Sequence, residues 1–305
     1  MSPVSILCLG AGDGWHSREL RLAATNQQCR ICFATYESLA SKVSDHGLSV
    51  TCDAGSIGDF DVILTRTMPA GSLEQITFRL AILHQLQAEQ RIAIVNPPRA
   101  LEIAIDKFAT LALVSALGYP VPETIVVQSR SAALDAFRAL GGDCVVKPVF
   151  GGEGRGVMRI KDAELAWYAF SALEQLGAAI YVQRFIPPGG RDTRLLVIGQ
   201  SVLAIRRRND VDFRTNAASG AQPQAVSASA AQIAMARNIC NSIGLKIAAV
   251  DVIDSDDGGC KVLEVNAIPG WKGAQSVLDQ NVAELMIGQL QSVVLSKGLA
   301  DVKLA

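Results

Sequence analysis

Long apolar runs are missing from this chain of 305 residues, although 50% of it is hydrophobic and only 19% charged. No run approaches the roughly 18 residues of a membrane-spanning helix, so no membrane partner is expected. The first residues, Met1 to Gly10, enter a strand-like segment without a basic flank, which argues against a secretory signal and makes the cytoplasm the expected compartment. Net charge is nearly absent too. A value of −1, with a pI near 6.3, gives no field to gather nucleic acid, so any anion must be captured locally. The seven cysteines are odd in number and dispersed, which does not suit a disulfide framework. The C-x-x-C at Cys29 and Cys32 lies in a predicted strand without a second pair or a histidine cluster, which argues for reduced thiols rather than a metal or redox site. A Cys/His or Ser/His/Asp nucleophile constellation is lacking, as are internal repeats.

What is present begins with Cys144-Val145-Val146-Lys147-Pro148, a β-branched run ending in a cation, followed by Gly151-Gly152-Glu153-Gly154-Arg155-Gly156. Such a strand and loop can turn backbone amides and a lysine toward a triphosphate; a surface hairpin is the plain alternative. Before it, strands over 5–9, 30–33, 48–52, 61–65 and 91–95 alternate with helical or loop segments, a βαβ pattern with a parallel sheet. The glycines after the first strand have the wrong spacing for a dinucleotide fingerprint. Ser72 is a predicted N-cap for a helix whose Leu73, Ile76, Leu80, Leu83 and Leu86 share a face. Arg66 and the Asn96 turn border the crevice at the strands' carboxyl ends, where Arg66 would meet a carboxylate or remain a solvated loop residue.

One helix is predicted over 100–117, with Asp106-Lys107 in its first half, then a small α+β layer to 183. Phe185 to Gly190 is a proline and glycine break. Beyond it come an antiparallel pair over 192–197 and 201–207, a polar loop, a helix over 230–243, strands over 248–253 and 261–265 around a turn at 254–259, and a last helix from 282. Asp251 interrupts an apolar strand, while Glu264 and Asn266 stand at i and i+2 on its neighbour. Three oxygen donors converging from a hairpin suit a hard divalent cation, magnesium first; the alternative is a buried carboxylate paired with Arg194 or Arg206.

In order, Asp106-Lys107, Val121-Pro122-Glu123-Thr124, Val146-Lys147-Pro148, Asp192-Thr193-Arg194, Asp212-Phe213-Arg214-Thr215-Asn216, Asp251-Val252 and Glu264-Val265-Asn266-Ala267-Ile268-Pro269-Gly270 resemble the ATP-grasp enzymes, and among them the RimK-like α-L-glutamate ligases. The resemblance spans at least residues 96–270 and implies an α/β (α+β) ATP-grasp fold. Its units would be an N-terminal parallel α/β domain (1–99), a central small domain with the glycine-rich lid (100–185) and a C-terminal antiparallel-sheet domain with the metal hairpin (186–305).

Residue by residue, the resemblance implies that Lys107 and Lys147 contact ATP phosphates and that the loop carrying Gly151, Gly152, Gly154 and Gly156 closes over them. The backbone of Gln183, Arg184 and Phe185 would bind adenine, although Arg184 stands where related hinges often carry an acid. Asp192 would position the nucleotide, Arg214 and Asn216 would face the transferred phosphate, and Asp251, Glu264 and Asn266 would hold two Mg2+ ions, with Mn2+ as a substitute. Arg66, Arg194 and Trp271 are candidates for the substrate side. The implied reaction joins L-glutamate to a small-molecule carboxylate through an acylphosphate, and the Pro269-Gly270-Trp271 ending looks more like ligases acting on a coenzyme such as tetrahydromethanopterin. Ligases of ribosomal protein, peptides or lysine biosynthesis, and a non-catalytic ATP-binding regulator, are the alternatives. A homo-oligomer is expected.

Overall fold

The computed structural model describes residues 3–90, 92–254 and 259–304. Its first part contains β1 (Ser5–Leu9), α1 (Trp15–Asn26), β2 (Arg30–Ala34), β3 (Ala40–Ser44), β4 (Gly47–Cys52), β5 (Gly55–Ser56), β6 (Val62–Thr65), α2 (Leu73–Ala88) and β7 (Ala93–Val95). The order β2-β1-β6-β7 is parallel throughout. From β1 the chain moves outward to β2, and from β6 it moves the other way to β7, so the loops after β1 and β6 diverge and open a crevice at the carboxyl ends.

The strand predicted over 48–52 exists but leaves this sheet; β3, β4 and β5 form a separate antiparallel meander. The β3 side chains are all exposed, which is why no apolar alternation announces that strand. Arg91, the predicted start of the last parallel strand, lies outside the described residues. Ser72 does cap α2, in a reciprocal box with Gln75. Its buried face, however, is Arg79, Ile82, Leu83 and Leu86, while Leu73 is 79% exposed. The stripe is thus rotated from the predicted one and carries an arginine inward. Cys29 and Cys32 pack into different cores, so the C-x-x-C is not a paired site.

Next come α3 (Pro98–Ile105), α4 (Lys107–Ala116), β8 (Thr124–Val127), α5 (Arg130–Ala139), β9 (Cys144–Lys147), β10 (Met158–Ile160), α6 (Ala163–Gln175) and β11 (Ile180–Arg184). The single helix predicted over 100–117 is broken at Asp106, whose backbone is extended. Its carboxylate accepts from the Phe108 and Ala109 N–H groups at 2.8 and 3.0 Å, restarting the helix with Lys107 as its first residue. The strands β10-β9-β11-β8 form an antiparallel sheet with a core of its own around Phe137, Val146, Phe170 and Val182. Ala100, Leu101 and Val114 of α3 and α4 instead join the large core that follows.

That core is built by β12 (Arg191–Ile198), β13 (Ser201–Arg208), β14 (Gln222–Ala225), α7 (Ala230–Ile243), β15 (Ile247–Asp254) and β16 (Cys260–Asn266), followed by α8 (Lys272–Gln275) and α9 (Val282–Leu304). The antiparallel order is β14-β13-β12-β15-β16. β14 was not foreseen, since Pro223 within it reads as a break; an edge strand tolerates it. Of the predicted turn at 254–259, residues 255–258 lie outside the described set.

One face of this sheet, with Leu195, Val197 and Val250, packs on Met235, Ala236 and Ile239 of α7. The other buries Leu196, Ile198 and Ala249 with Val282, Met286 and Leu290 of α9 and with Cys8 and Val62 of the parallel sheet. Toward the opposite strand ends, that second face turns from apolar to charged. Asn96 ties the two sheets together. Its Nδ2 donates to the carbonyls of Ile247 and Ala267 at 2.6 and 2.8 Å, its Oδ1 accepts from the N–H groups of Lys246 and Ile247, and its own N–H donates to Thr65 Oγ1. Among the described residues no helix is long and apolar enough to cross a membrane.

Candidate active site

Lys147 closes β9 and Lys107 opens α4, so two cations reach the same place from different elements. The Lys107 N–H donates to the Val149 carbonyl at 3.3 Å, and its ammonium donates to the Gly151 carbonyl. Lys147 lies with its Nζ 5.7 Å from the Tyr181 ring centroid. Burial pushes its pKa down to about 8; Glu264 and Asp251 pull it back up, and Lys107 adds to the fall. Gly154 and Gly156 adopt φ +70°, and a Cβ at Gly154 would meet Asn216 Oδ1 at 2.6 Å. The loop therefore lies against the segment after β13, where Asn216 Nδ2 donates to the Glu153 carbonyl at 2.9 Å. Beyond their chain neighbours, no atom lies within 4 Å of where Cβ atoms at Gly151 and Gly152 would stand, so this part of the loop borders open space while its carbonyls are tied to Lys107 and Asn216.

Opposite stands the charged sheet face. Asp251 pairs in register with Arg194 on one side and Glu264 on the other, and Asn266 pairs with Ala249, so all four point the same way. Asp251 is not free: Arg194 binds it through two bonds of 2.8 and 2.7 Å, and Arg207 adds one of 2.8 Å. Despite burial, which alone would raise it, these guanidinium groups hold its carboxyl well below the usual carboxylate range. Arg207 also grips Asp192 at 2.7 and 2.5 Å, and the Thr215 hydroxyl donates to the same carboxylate. Of the two arginines expected as partners, Arg194 takes the role and Arg206 does not; Arg206 lies 3.5 Å from Asp254. Arg207, which the sequence reading passed over, is the bridge, and its sole sequence signal is the pairing that sets it opposite Asp192.

Two carboxylates and an amide on one face fit a hard divalent cation whose remaining positions phosphate oxygens fill. Among the described residues no group of three or more His, Cys, Asp or Glu is placed to hold a metal ion. Asp251 Oδ2 accepts from both arginines and Oδ1 from Arg194 alone, so Oδ1 keeps an acceptor position for a cation.

The hinge differs from expectation. The Arg184 N–H donates to the Glu123 carbonyl at 2.8 Å and the Phe185 N–H to the Asp143 carbonyl at 3.0 Å, so neither is free for adenine. Next along the chain, the Ile186 N–H has no partner among the described residues. The Arg184 side chain binds Glu123 at 3.1 and 2.7 Å, placing the acid on the adjoining segment instead. Gln183 is buried and donates to Thr124 and Tyr181. Arg214 is paired with Asp212 at 2.6 Å rather than held toward the lysines.

On the far side, Arg66 follows β6 and donates to the Pro269 carbonyl at 3.1 Å, its guanidinium 4.9 Å from the Trp271 ring. The sequence reading placed both at the crevice, and they do meet. Trp271, though, is 1% exposed, packed by Trp15 and His16, so it is core and not an open stacking surface. His16 Nε2 accepts from the Trp271 N–H at 3.2 Å, and burial, with help from Arg66 and Lys272, lowers its pKa to about 4.

Comparison with known proteins agrees with this arrangement. The RimK-like ATP-grasp domain matches residues 104–290. A tetrahydromethanopterin:alpha-L-glutamate ligase of Methanosarcina acetivorans is 30% identical over 287 residues, covering 84% of this chain and 88% of that one. A probable alpha-L-glutamate ligase of Sodalis glossinidius is 31% identical over 280 residues, covering 90% and 93%. In fold, the ATP-grasp ligase PsnB complexed with minimal precursor, Mg and ADP superposes with a TM-score of 0.75 at 21% identity, over 95% of this chain and 97% of that one. Motifs in order, a matching domain over residues 104–290 and sequence identity across most of the length have one common explanation: the chain belongs to the RimK-like ATP-grasp family of ligases.

Proposed function

We propose that the chain uses ATP to join L-glutamate to the carboxylate of a small-molecule acceptor, a one-carbon coenzyme of the tetrahydromethanopterin kind. The reading is carried by Lys107, Lys147 and the glycine lid facing the carboxylate-bearing strands β15 and β16. Support for glutamate and for the coenzyme comes from the names of the relatives that align over most of the chain.

Amide formation in water is uphill, so the carboxylate first attacks the γ-phosphorus of ATP, ADP departs, and an acylphosphate forms. The amine of glutamate then attacks the acyl carbon, loses a proton, and phosphate leaves. Lys147 and Lys107 spread positive charge over the phosphates, and a bound triphosphate draws the Lys147 pKa back up, keeping it charged. Asp251, Glu264 and Asn266 would hold magnesium, two ions by family resemblance, with manganese as a substitute; bound there, the metal neutralises phosphate charge. The lid keeps water from the acylphosphate.

A phosphate-release screen of amino acids against carboxylates, pterin coenzymes included, tests this. Release should require ATP, glutamate and one acceptor class together. Release with another amine and not with glutamate sinks the donor assignment; ATP binding without any release sinks the ligase.

A further inference from the structure

The segment after β13 is bonded to itself before it reaches the lid. Asn209 Oδ1 accepts from the N–H groups of Val211 and Asp212 at 3.1 and 3.0 Å, and its Nδ2 donates to the carbonyls of Arg214 and Ser219 at 3.0 and 2.8 Å. The Ser219 hydroxyl donates to the Asn216 carbonyl at 2.7 Å, and the Gly190 N–H to the Phe213 carbonyl at 2.9 Å. A loop held at that many points moves as one piece, so a shift at Thr215 is also a shift at Asn216.

These two neighbours have different partners. Thr215 donates its hydroxyl to Asp192, which Arg207 grips at 2.7 and 2.5 Å while giving a third bond of 2.8 Å to Asp251. Asn216 Nδ2 donates to the Glu153 carbonyl of the lid at 2.9 Å. Its Oδ1 is buried without a hydrogen-bond partner among the described residues and lies where only a glycine fits at 154. A buried acceptor without a donor lowers stability, and what the amide gains in that position is its hold on the lid. Side-chain contacts thus run from Asp251 through Arg207 and Asp192 to the 209–220 segment, and from there to the lid.

Arg207 divides one guanidinium between two buried carboxylates. A cation on Asp251 Oδ1 would compete for that carboxylate's charge and repel Arg207, so more of the guanidinium's attraction falls to Asp192, the acceptor of Thr215. The forked donors of arginine are what let it serve both acids at once; an ammonium presents a single point of charge. We infer that Arg207 is a positioning residue that couples the Asp251 site to the lid: acting through Asp192, Thr215 and Asn216, it draws the lid shut when a divalent cation is bound. The cation rests on the metal reading of Asp251; the strut from Arg207 to the lid does not.

Trypsin reads the lid, because Arg155 lies in it with a side chain 82% exposed and is cut when the loop leaves its place. Fragments ending at Arg155 are counted by mass spectrometry. In ligand-free protein, Thr215→Val and Asn216→Ala should each speed that cut about fivefold or more, and the double variant no further than the faster single one, since both break one path. Arg207→Lys should match them; Thr215→Val, which removes one hydroxyl at nearly constant shape, carries the test if Arg207→Lys unfolds. Asp210→Asn, which alters an exposed pair with Arg208 in the same segment, should leave the rate unchanged. With ADP present, magnesium should slow the cut in the wild-type chain, relative to EDTA, about fivefold or more. In Thr215→Val that slowing should vanish, although magnesium still tightens ADP binding in calorimetry. A normal cleavage rate in Thr215→Val, additive effects in the double variant, or magnesium protection that survives in Thr215→Val each overturns the inference. If magnesium does not tighten ADP binding to the wild-type chain, the metal reading falls and the coupling with it, whereas unaltered ligand-free rates overturn the strut alone, so the two failures are told apart.

Discussion

If Lys147 meets the nucleotide's phosphates as proposed, this one residue makes nucleotide binding sensitive to pH. Its pKa in the free protein is lowered from 10.5 to about 8, so above pH 8 the folded protein holds fewer protons than the unfolded chain, and this group's stability penalty, full below pH 8, fades toward pH 10.5. Binding has the opposite sign, because phosphate favours the ammonium. ADP affinity measured with EDTA present should therefore fall about tenfold between pH 7 and pH 9, and in Lys147→Met that slope should disappear while thermal stability rises, most below pH 8, as the penalty of the buried charge is lifted. A slope unchanged in the variant would return Lys147 to a structural role. Asp251 and Glu264 separate along another line. Asp251→Asn strips the charge that Arg194 and Arg207 share, and breaking a buried pair costs roughly 3–5 kcal/mol, readable by urea denaturation. Glu264→Gln touches no such network, so it should keep its stability but lose the tightening of ADP binding by magnesium. Equal stability of the two variants would show that the arginines find other partners.

At the scale of elements, the break between α3 and α4 decides where Lys107 stands. Asp106→Ala removes a cap worth about 1 kcal/mol and lets the two helices merge, which swings Lys107 away from the lid. ADP affinity should drop by more than the loss of stability accounts for, and Asp106→Ser should restore both; an Asp106→Ala protein with normal affinity would mean that the lysine finds the phosphates without the break. Here the sequence had its clearest limit. Apolar spacing runs through Asp106 without interruption, because both helices bury the same kind of face, and only the extended backbone at one residue separates them. β3 is exposed along its length and β14 contains a proline, so neither has the signature of a strand. Residues whose chemistry depends on their own strand were legible: Lys147 at the end of an apolar run, and Glu264 and Asn266 two apart. Arg207 was not, because which arginine reaches Asp251 and Asp192 depends on strand register, a property of pairs of strands. The burial of Trp271 was not legible for a related reason, since α1 lies more than 200 residues away in sequence and leaves no local mark.

Across the whole molecule, the crevice is bordered by loops of the parallel sheet on one side and by the β15–β16 hairpin on the other, so its geometry depends on what fixes those sheets to each other. Asn96 does this with six hydrogen bonds, two with Thr65 in one sheet and four with residues 246, 247 and 267 at the end of the other. α9 adds an apolar wedge shared by both. Apolar burial tolerates sliding, whereas a side-chain amide that both donates and accepts fixes register and orientation. Asn96→Ala would leave buried carbonyl and N–H groups unmatched at about 1–3 kcal/mol each, so a loss of several kcal/mol is expected in urea denaturation. Asn96→Asp should be at least as damaging, because a carboxylate oxygen would then face the carbonyls of Ile247 and Ala267. The sharper readout is functional. If the clamp sets the crevice, Asn96→Ala at a temperature where it remains folded should raise the Michaelis constant for the acceptor, which on the proposed reading spans both sheets, far more than that for ATP, which the same reading places against β9, α4 and the β15–β16 hairpin. Equal rises would mean that Asn96 contributes stability alone, and that α9 is what holds the sheets in register.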